Sequence, residues 1–399
     1  MDVTFYCPDR HILYDGRLPY RQGVGGGITS RIRMARALRR AGHRVKMVVN
    51  CPKRARIDGV EYLPLAEVGE IRGDVLIFNT SGGGLDLSPA HKLDIDVGLR
   101  WVWTSGTMKP TGLDQLSHDF VYAKSNFLRD VVEREWGVAQ ERIFVAYNGF
   151  EEEVFRRAER RTPPRDRHRL VYFSHPSKGL DTAIAILGEL RAREARYHLV
   201  VCGGAGLWGQ EESVVPQTAG VAYRGLIGQR ELAVELLRST FSLSLQARLE
   251  PFGMVITEAM RAGCIVLASP VGAYAELIRD GEDGFIVPGD HQSESVRRQA
   301  AELIVALESN PGASGYVRRN AQHVIWDTDT MVRVWEGHWE WWFRKQSGNA
   351  YRALPAGMAG CPHCGGGRLW LADGYHCLVC GRYQRLRSRE GAQVSRIGS

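Results

Sequence analysis

Short apolar runs alternate with segments of helical periodicity along the first part of the chain. The apolar runs predict strands at residues 3–7, 44–49, 74–78, 100–103, 120–125 and 143–147. Between the first two runs, Ile28, Ile32, Ala35 and Leu38 share one face of a predicted helix that ends at Gly42. Strands and helices that alternate in this way predict a parallel sheet covered by helices.

The same alternation restarts near residue 170. It predicts strands at 170–174, 197–202, 221–223, 241–245 and 264–269, with helices at 179–191, 230–238 and 254–262. Between the two halves, residues 156–169 are highly charged and contain Pro163 and Pro164, a composition typical of a linker. The fold class is therefore predicted to be α/β, with two Rossmann-like doubly wound domains and a ligand in the cleft between them.

The last quarter of the chain changes in composition twice. A helix is predicted from residue 326, where Trp335, Trp339 and Trp342 form one apolar stripe. The predicted organisation is an N-terminal domain at 1–155, a linker at 156–169, a second domain at 170–325, the tryptophan-rich helix at 326–348, a linker at 349–360, a cysteine-containing ribbon at 361–385 and a basic tail at 386–399.

The ribbon is predicted from two Cys-x2-Cys pairs. Cys361 and Cys364 form the first pair, and Cys377 and Cys380 form the second after twelve intervening residues. Four thiolates at this spacing are the ligand set of a structural Zn²⁺ site, and so short a module needs a metal because it cannot build its own core. Disulfides are disfavoured in a reducing compartment. The other four cysteines lie singly in apolar runs, as reduced core residues do: Cys7, Cys51, Cys202 and Cys264.

Composition and charge are ordinary for a soluble globular protein, at 44% hydrophobic and 24% charged residues. The net charge of +7 suits anionic substrates such as nucleotide sugars, or an acidic membrane surface, and is too small to imply nucleic acid. The chain shows no signal peptide and no apolar run near the ~20 residues of a membrane span, so we expect a cytoplasmic location. The first helix carries a basic face, which is either solvated or docks peripherally on the inner face of the membrane: Arg31, Arg33, Arg36, Arg39 and Arg40.

The strongest functional signal lies at residues 244–290. A strand is followed by a turn that contains Glu250, then by a helix that contains Glu258, with seven residues between the two glutamates. The helix N-terminus offers backbone N–H groups and a dipole to an anion. One glutamate precedes the helix and the other lies inside it, so the two can hold different parts of one ligand.

This arrangement resembles the donor site of retaining glycosyltransferases of family 4, whose signature is Glu-x7-Glu, a glycine-rich turn and a further glutamate, here Glu276. The resemblance covers about residues 1–345. It implies the GT-B fold, with an acceptor-side domain at 1–155, a nucleotide-sugar domain at 170–325 and the last helix returning to the N-terminal domain. It also implies transfer of a sugar, with retention of anomeric configuration and without a catalytic metal, from a UDP- or GDP-sugar to an acceptor hydroxyl. The acceptor itself is not specified and can be a glycan, a lipid-linked molecule or a small molecule.

The same resemblance implies roles for individual residues. Lys178 contacts the diphosphate, Glu250 holds the hydroxyls of the donor sugar, and Glu258 holds the ribose hydroxyls. The remaining donor-binding positions implied by the resemblance are Gly26, Gly27, Gly203, Gly225, Leu226, Phe252, Gly253, Met254 and Val255.

Two positions depart from the family pattern. Phe173 stands where most relatives have a phosphate-binding arginine. Many relatives also carry a histidine in the segment that corresponds to residues 101–107, and this segment has no histidine. The second phosphate contact and the acceptor side therefore stay open. A GT-B epimerase or phosphorylase remains an alternative, since fold alone does not separate these activities. A more remote alternative is a nucleic-acid-binding protein built on the zinc ribbon.

Overall fold

The computed structural model describes residues 1–82, 84–211, 217–348 and 360–385. The chain forms two compact units. The first contains Met1–Arg17, Gly26–Gly149 and the segment that begins at Ile325, and the second contains Leu18–Gly25 and Phe150–Val324. The predicted linker at 349–360, except for Gly360, and the predicted basic tail at 386–399 lie outside the described residues.

The first unit is built on an eight-stranded sheet. Its strands are β1 Asp2–Tyr6, β2 Arg44–Val49, β3 Ala55–Ile57, β4 Val60–Pro64, β5 Glu70–Asn79, β6 Asp94–Trp103, β7 Phe120–Ala123 and β8 Ile143–Val145. Their order is β3-β4-β2-β1-β5-β6-β7-β8, and every neighbouring pair is parallel except β3 and β4. Its helices are α2 Gly26–Arg40, α3 Asn126–Arg134 and α11 Thr328–Gln346.

The second unit is built on a six-stranded parallel sheet. Its strands are β9 Asp166–Tyr172, β10 His198–Cys202, β11 Val221–Gly225, β12 Ser239–Ser244, β13 Ile265–Ala268 and β14 Phe285–Ile286, in the order β11-β10-β9-β12-β13-β14. Its helices are α1 Leu18–Arg21, α4 Glu152–Glu159, α5 Leu180–Arg191, α6 Gln229–Arg238, α7 Met254–Arg261, α8 Tyr274–Leu277, α9 Glu294–Ser309 and α10 Pro311–Gln322. Among the described residues, every helix is too short or too polar to cross a bilayer.

The tryptophan stripe of α11 faces the sheet of the first unit. Trp335 and Trp339 are fully buried, and the Trp335 ring packs edge-on against Trp101 and Trp103 of β6, with centroids 4.7 and 4.9 Å apart. Edge-to-face contacts of this kind add to the free energy gained from burial alone. Helix α11 is therefore part of the core of the first unit.

The C-terminal module also packs on the first unit. It is a three-stranded antiparallel sheet of β15 Arg368–Leu371, β16 Gly374–Cys377 and β17 Tyr383–Arg385. A Cβ at Gly381 would lie 2.1 Å from the main-chain nitrogen of Val145, and the buried His376 ring lies 5.9 Å from the Phe144 ring. Strand β8 ends the eight-stranded sheet, so the module covers an edge that would otherwise present unpaired backbone groups.

The structure corrects the predicted linker at 156–169. Its first residues belong to helix α4, and its last residues, from Asp166 onward, belong to strand β9. Helix α4 forms because its charges are matched: the Arg261 guanidinium pairs with Glu152 and Glu159 at 2.5 and 2.8 Å. The charged composition of residues 156–169 therefore predicted a surface linker, whereas the first of these residues belong to a helix that is held by ion pairs.

The predicted basic face of α2 is wrong for two of its five arginines. Arg31 and Arg33 are 0% and 2% exposed, so neither can reach a membrane surface. Arg31 points inward, where its Nη1 lies 3.0 Å from Asp9 Oδ1 and 2.7 Å from the Tyr14 hydroxyl. A buried guanidinium is tolerated because it is paired with a carboxylate. The arginines of α2 therefore divide between the core and the surface.

Candidate functional site

The loop between β9 and α5 places Lys178 at the start of a helix. The Lys178 main-chain N–H donates to the His175 carbonyl at 2.9 Å, and the Tyr172 hydroxyl donates to the same oxygen at 2.6 Å. Gly179 follows with φ of +91°, and a Cβ there would lie 1.9 Å from the Leu245 carbonyl oxygen. Only glycine fits this turn. Gly179 therefore lets the loop close on the end of β12 and fixes Lys178 at the N-terminus of α5.

The Lys178 side chain forms an ion pair with Glu250. The Nζ and Oε2 atoms are 2.6 Å apart, and the two side chains are only 18% and 14% exposed. Gln246 Nε2 donates to the same carboxylate oxygen at 3.4 Å. Water screens this pair less than a surface pair, so its attraction is stronger. The structure thus joins Lys178 and Glu250, for which the resemblance implies contacts with the diphosphate and the donor sugar.

Glu250 is held in place by the glycine-rich turn that follows β13. The Glu250 carbonyl accepts the Ala273 main-chain N–H at 2.9 Å. Gly272 has φ of +56°, and a Cβ there would lie 2.3 Å from the same carbonyl oxygen. Phe252, in the turn after Glu250, is 2% exposed and anchors it. The two parts of the sequence motif therefore pack directly on each other.

Helix α7 begins just after this turn. Gly253 precedes it with φ of +105°, and a Cβ there would lie 2.5 Å from the Tyr274 ring. The first turn, at Met254 and Val255, directs backbone N–H groups outward, as helix N-termini do. Glu258 lies one turn further along α7 and is 4% exposed. The helix therefore carries a potential anion contact at its start and a buried carboxylate behind it.

A small cavity connects these two helix starts. Its lining comes from the ends of β9 and β12, from the loop before α5, and from the first residues of α7 and α8. It includes Ser174, Lys178 and Val255. Lys178 and the first turn of α7 therefore line the same cavity.

A second cation lies beside Lys178, and sequence reasoning missed it. The Trp208 ring stacks on the His175 ring at 3.7 Å and 11°, and His175 Nε2 lies 3.0 Å from Gln210 Oε1. The Arg248 guanidinium carbon lies 4.8 Å from the Trp208 ring centroid, and Lys178 Nζ lies 5.8 Å from it. Both cations are within cation–π range of one ring. No local sequence pattern relates Arg248 to Trp208, so only the fold brings them together.

Three predicted donor-binding residues, Gly203, Gly225 and Leu226, lie at the carboxyl ends of β10 and β11. Gly203 has φ of +121°, and its N–H donates to the Gly225 carbonyl at 2.8 Å. The Leu226 carbonyl accepts the Gly23 N–H at 3.1 Å. These residues therefore share the sheet edge that carries Lys178, the edge at which open α/β sheets bind ligands.

Gly26 and Gly27 belong to the first unit, where they begin α2. A Cβ at Gly27 would lie 2.2 Å from Ser81 Cβ, so glycine is required where α2 passes the residues after β5. Their predicted contact with the donor stays a prediction.

The four cysteines of the C-terminal module meet in one cluster. All four Sγ atoms lie within 4.8 Å of one another, with 3.8 Å between Cys361 and Cys380 and 3.5 Å between Cys364 and Cys377. A tetrahedral Zn²⁺ with Zn–S bonds of about 2.3 Å holds its sulfur atoms about 3.8 Å apart. The cluster therefore fits a Cys₄ zinc site.

Residues 169–323, within the second unit, match the model of the family described as Glycosyl transferases group 1. This segment is a group 1 glycosyl transferase domain. The domain contains Lys178, Arg248, Glu250 and Glu258, together with the small cavity.

Curated relatives match part of the chain. A phosphatidyl-myo-inositol mannosyltransferase of Mycolicibacterium smegmatis is 29% identical over 156 residues, which are 38% of this chain and 38% of that protein. An alpha-maltose-1-phosphate synthase of the same organism is 28% identical over 219 residues, 48% of this chain and 54% of that protein. The chain thus spans only part of the length of the relatives that it matches.

Solved structures resemble a larger part of the chain. Sucrose-phosphate synthase from Thermosynechococcus elongatus has a TM-score of 0.63 at 15% identity, covering 86% of this chain and 100% of that chain. Anabaena HepE in complex with UDP has a TM-score of 0.55 at 16% identity, covering 84% and 99%. These likenesses, together with the mostly parallel sheet of the first unit and the parallel sheet of the second, confirm the predicted α/β GT-B fold.

Proposed function

We propose that this protein is a retaining glycosyltransferase that moves a sugar from a nucleoside diphosphate sugar to an acceptor hydroxyl. The observation that carries the proposal is the Lys178–Glu250 ion pair of the group 1 domain, in which Lys178 lies at the start of α5 and lines the same cavity as the first turn of α7. The likeness to a structure in complex with UDP-glucose supports a donor of this chemical class.

Two cations and a helix N-terminus stabilise the negative charge that develops on the leaving diphosphate. Lys178 and Arg248 lie over the same Trp208 ring, and the N–H groups at the start of α7 line the cavity with Lys178. Donors fixed before the reaction stabilise charge that develops in the transition state, because they need no reorganisation. Arg248 supplies the second phosphate contact, for which the sequence offered only Phe173. In this account, a divalent metal is not needed to bind the diphosphate.

Glu250 and Glu258 then hold the two ends of the donor. When the diphosphate engages the Lys178 ammonium, the Glu250 carboxylate can accept hydrogen bonds from the hydroxyls of the sugar and stabilise positive charge at its anomeric carbon. Glu258 lies a turn deeper in α7 and accepts from the ribose hydroxyls. The backbone near Gly225 and Leu226 contacts the base.

The transfer step breaks the bond between the anomeric carbon and the phosphate oxygen, and the electron pair leaves with the diphosphate. The acceptor oxygen forms the new bond on the same face, which retains the configuration. Its proton passes to the departing phosphate oxygen, so a separate protein base is not required. Protein groups therefore act chiefly by position and charge.

Zinc in the C-terminal module would be held by Cys361, Cys364, Cys377 and Cys380, and it would cross-link a small sheet that has little core of its own. Four thiolates leave no open position for a substrate. We therefore assign the metal a structural role, namely holding the module against β8.

The test is a product assay on the full chain. Thermal-shift measurements with UDP, GDP and ADP identify the base, and NMR of the anomeric proton then follows the product of the matching sugar nucleotide. We expect nucleoside diphosphate and a product of retained configuration in buffer without added magnesium or manganese. An inverted product, or activity only after magnesium is added, would contradict the proposed mechanism.

The same assay separates the alternatives. An epimerase would release an altered sugar nucleotide or free epimer, and a phosphorylase would form a sugar phosphate. A nucleic-acid-binding protein would instead bind oligonucleotides with an affinity that falls steeply with salt. The group 1 domain favours transfer over all three outcomes.

A further inference from the structure

A second polar cluster lies in the first unit, outside the site described above. Strands β5, β6 and β7 are neighbours in the sheet, and the cluster forms just beyond their carboxyl ends. Its members are Asn79, the last residue of β5, Ser105, two residues after β6, and Lys124, the first residue after β7. Open α/β sheets bind their ligands at this edge.

Lys124 is a buried lysine with little to balance its charge. It is 3% exposed, its Nζ donates to Ser105 Oγ at 3.1 Å and lies 4.4 Å from the Trp103 ring centroid. Among the described residues, no carboxylate forms an ion pair with it. Arg31, the nearest cation, has its own partner in Asp9. Burial, and then repulsion by Arg31, lower the pKa of Lys124 to about 7, while the thiol of Cys7 acts weakly in the opposite direction.

The hydrogen bonds of the cluster leave specific groups available. Ser105 Oγ accepts from Lys124 Nζ and from Asn79 Nδ2, each at 3.1 Å, so both of its lone pairs are used and its proton must be donated elsewhere. Asn79 Nδ2 also donates to the Trp103 carbonyl at 2.6 Å, which fixes the amide orientation. Asn79 Oδ1 is buried and has no hydrogen-bond partner. Ser105 is partly exposed, which opens the cluster to solvent.

We propose that Asn79, Ser105 and Lys124 form an acceptor subsite that binds an anionic group, a phosphate or a carboxylate, on a hydroxylated acceptor. The ammonium and the Ser105 hydroxyl supply donors to the anion, and Asn79 Oδ1 accepts from a neighbouring hydroxyl of the acceptor. That the bound molecule is the sugar acceptor rests on the proposed function. Binding of an anion by the cluster is independent of the proposed function.

An anion explains why a lysine occupies this position. A buried ammonium without a counter-charge costs free energy, and an apolar side chain of the same length would avoid that cost. A bound oxyanion supplies the missing negative charge and uses the donors that the protein leaves open. It also favours the charged lysine, so anion binding and protonation of Lys124 are coupled.

The experiment observes Lys124 directly in the full chain. The seven lysines are labelled with ¹³C at Cε, and their NMR signals are assigned with single substitutions. Excess UDP is present so that the donor site is filled. Sulfate is the probe, because its charge is constant between pH 6 and pH 9, and acetate and phosphate then separate carboxylate from phosphate acceptors. Glycerol at equal concentration tests for hydroxyl binding alone.

We expect sulfate to shift the Lys124 signal and raise its pKa, with sulfate affinity roughly thirtyfold weaker at pH 8.5 than at pH 6, as required if only the ammonium binds and its pKa is about 7. Lys124→Met should abolish this binding, and Lys92→Met, at an exposed lysine, should not change it. The proposal would be overturned if the chemical shift of Lys124 did not change with sulfate, phosphate or acetate, or changed only with glycerol. Failure of UDP, GDP and ADP alike to bind would count against the proposed function instead.

Discussion

Lys178→Ala is the sharpest test of the candidate site. The substitution removes the ammonium that lies 2.6 Å from Glu250 Oε2 and 5.8 Å from the Trp208 ring centroid. It keeps the main-chain bond to His175 and the turn at Gly179, so the loop and the start of α5 should persist. Any change in rate can therefore be separated from a change in fold.

Two magnitudes follow from the geometry. Loss of one preorganised donor to developing charge costs about 2.7–4 kcal/mol of barrier, a fall in turnover of about 10²–10³. For stability, the pair is neither exposed nor fully buried, so its loss lies between the cost of up to about 1 kcal/mol for a surface pair and about 3–5 kcal/mol for a buried one. We expect roughly 1–3 kcal/mol, since the Glu250 carboxylate can regain water.

The assay is hydrolysis of the donor without acceptor, with kcat and KM measured separately and unfolding followed by urea. Lys92→Ala is the matched control, because Lys92 is an exposed lysine. The double variant Lys178→Ala with Glu250→Gln should lose less than the sum of the two single losses, since the residues act as a pair. A loss of less than tenfold in Lys178→Ala would refute its contact with the diphosphate.

Four further predictions concern other parts of the chain. Arg248→Ala should raise the Kd for the nucleoside diphosphate at least about tenfold in calorimetry, as expected for a charge-assisted contact; an unchanged Kd would remove Arg248 from the site. Gly179→Ala should lower the free energy of unfolding by about 1–3 kcal/mol because its Cβ meets a carbonyl, whereas Gly188→Ala, in open space in α5, should raise it by about 0.5–1 kcal/mol; equal urea midpoints would contradict this. Cys377→Ser should abolish bound zinc in elemental analysis and destabilise the first unit by roughly 3 kcal/mol or more, and full zinc content would refute the ligand set. Burial lowers the pKa of Lys124 from 10.5 to about 7, so between pH 7 and pH 10.5 the unfolded chain binds one proton more than the folded chain, and the free energy of unfolding should rise with pH. Lys124→Met should lose this pH dependence in urea titrations at several pH values. An identical pH dependence in the variant would contradict the burial of Lys124.

Local patterns in the sequence predicted the elements of the fold well. Strand β2 has the predicted bounds, and the central strands and helices of the second unit lie within a few residues of their predicted positions. The reason is physical: the side chains of strands and helices repeat with fixed periods, so a buried face leaves a periodic record in the chain. The Glu250–Glu258 spacing and the two Cys-x2-Cys pairs are local in the same sense.

Only the tertiary structure decided which charges are inside and which residues meet. The sequence could not separate Arg31 from the exposed arginines of α2, because its burial depends on Asp9 and Tyr14, which precede it in a different segment. Likewise, Arg248 joins Lys178 only through the Trp208 ring, and Lys124 meets Asn79 only through Ser105. Such groupings arise where parallel strands bring distant residues to one sheet edge. The sequence alone determined the elements and the motif, and the packing of those elements determined the chemistry of the sites.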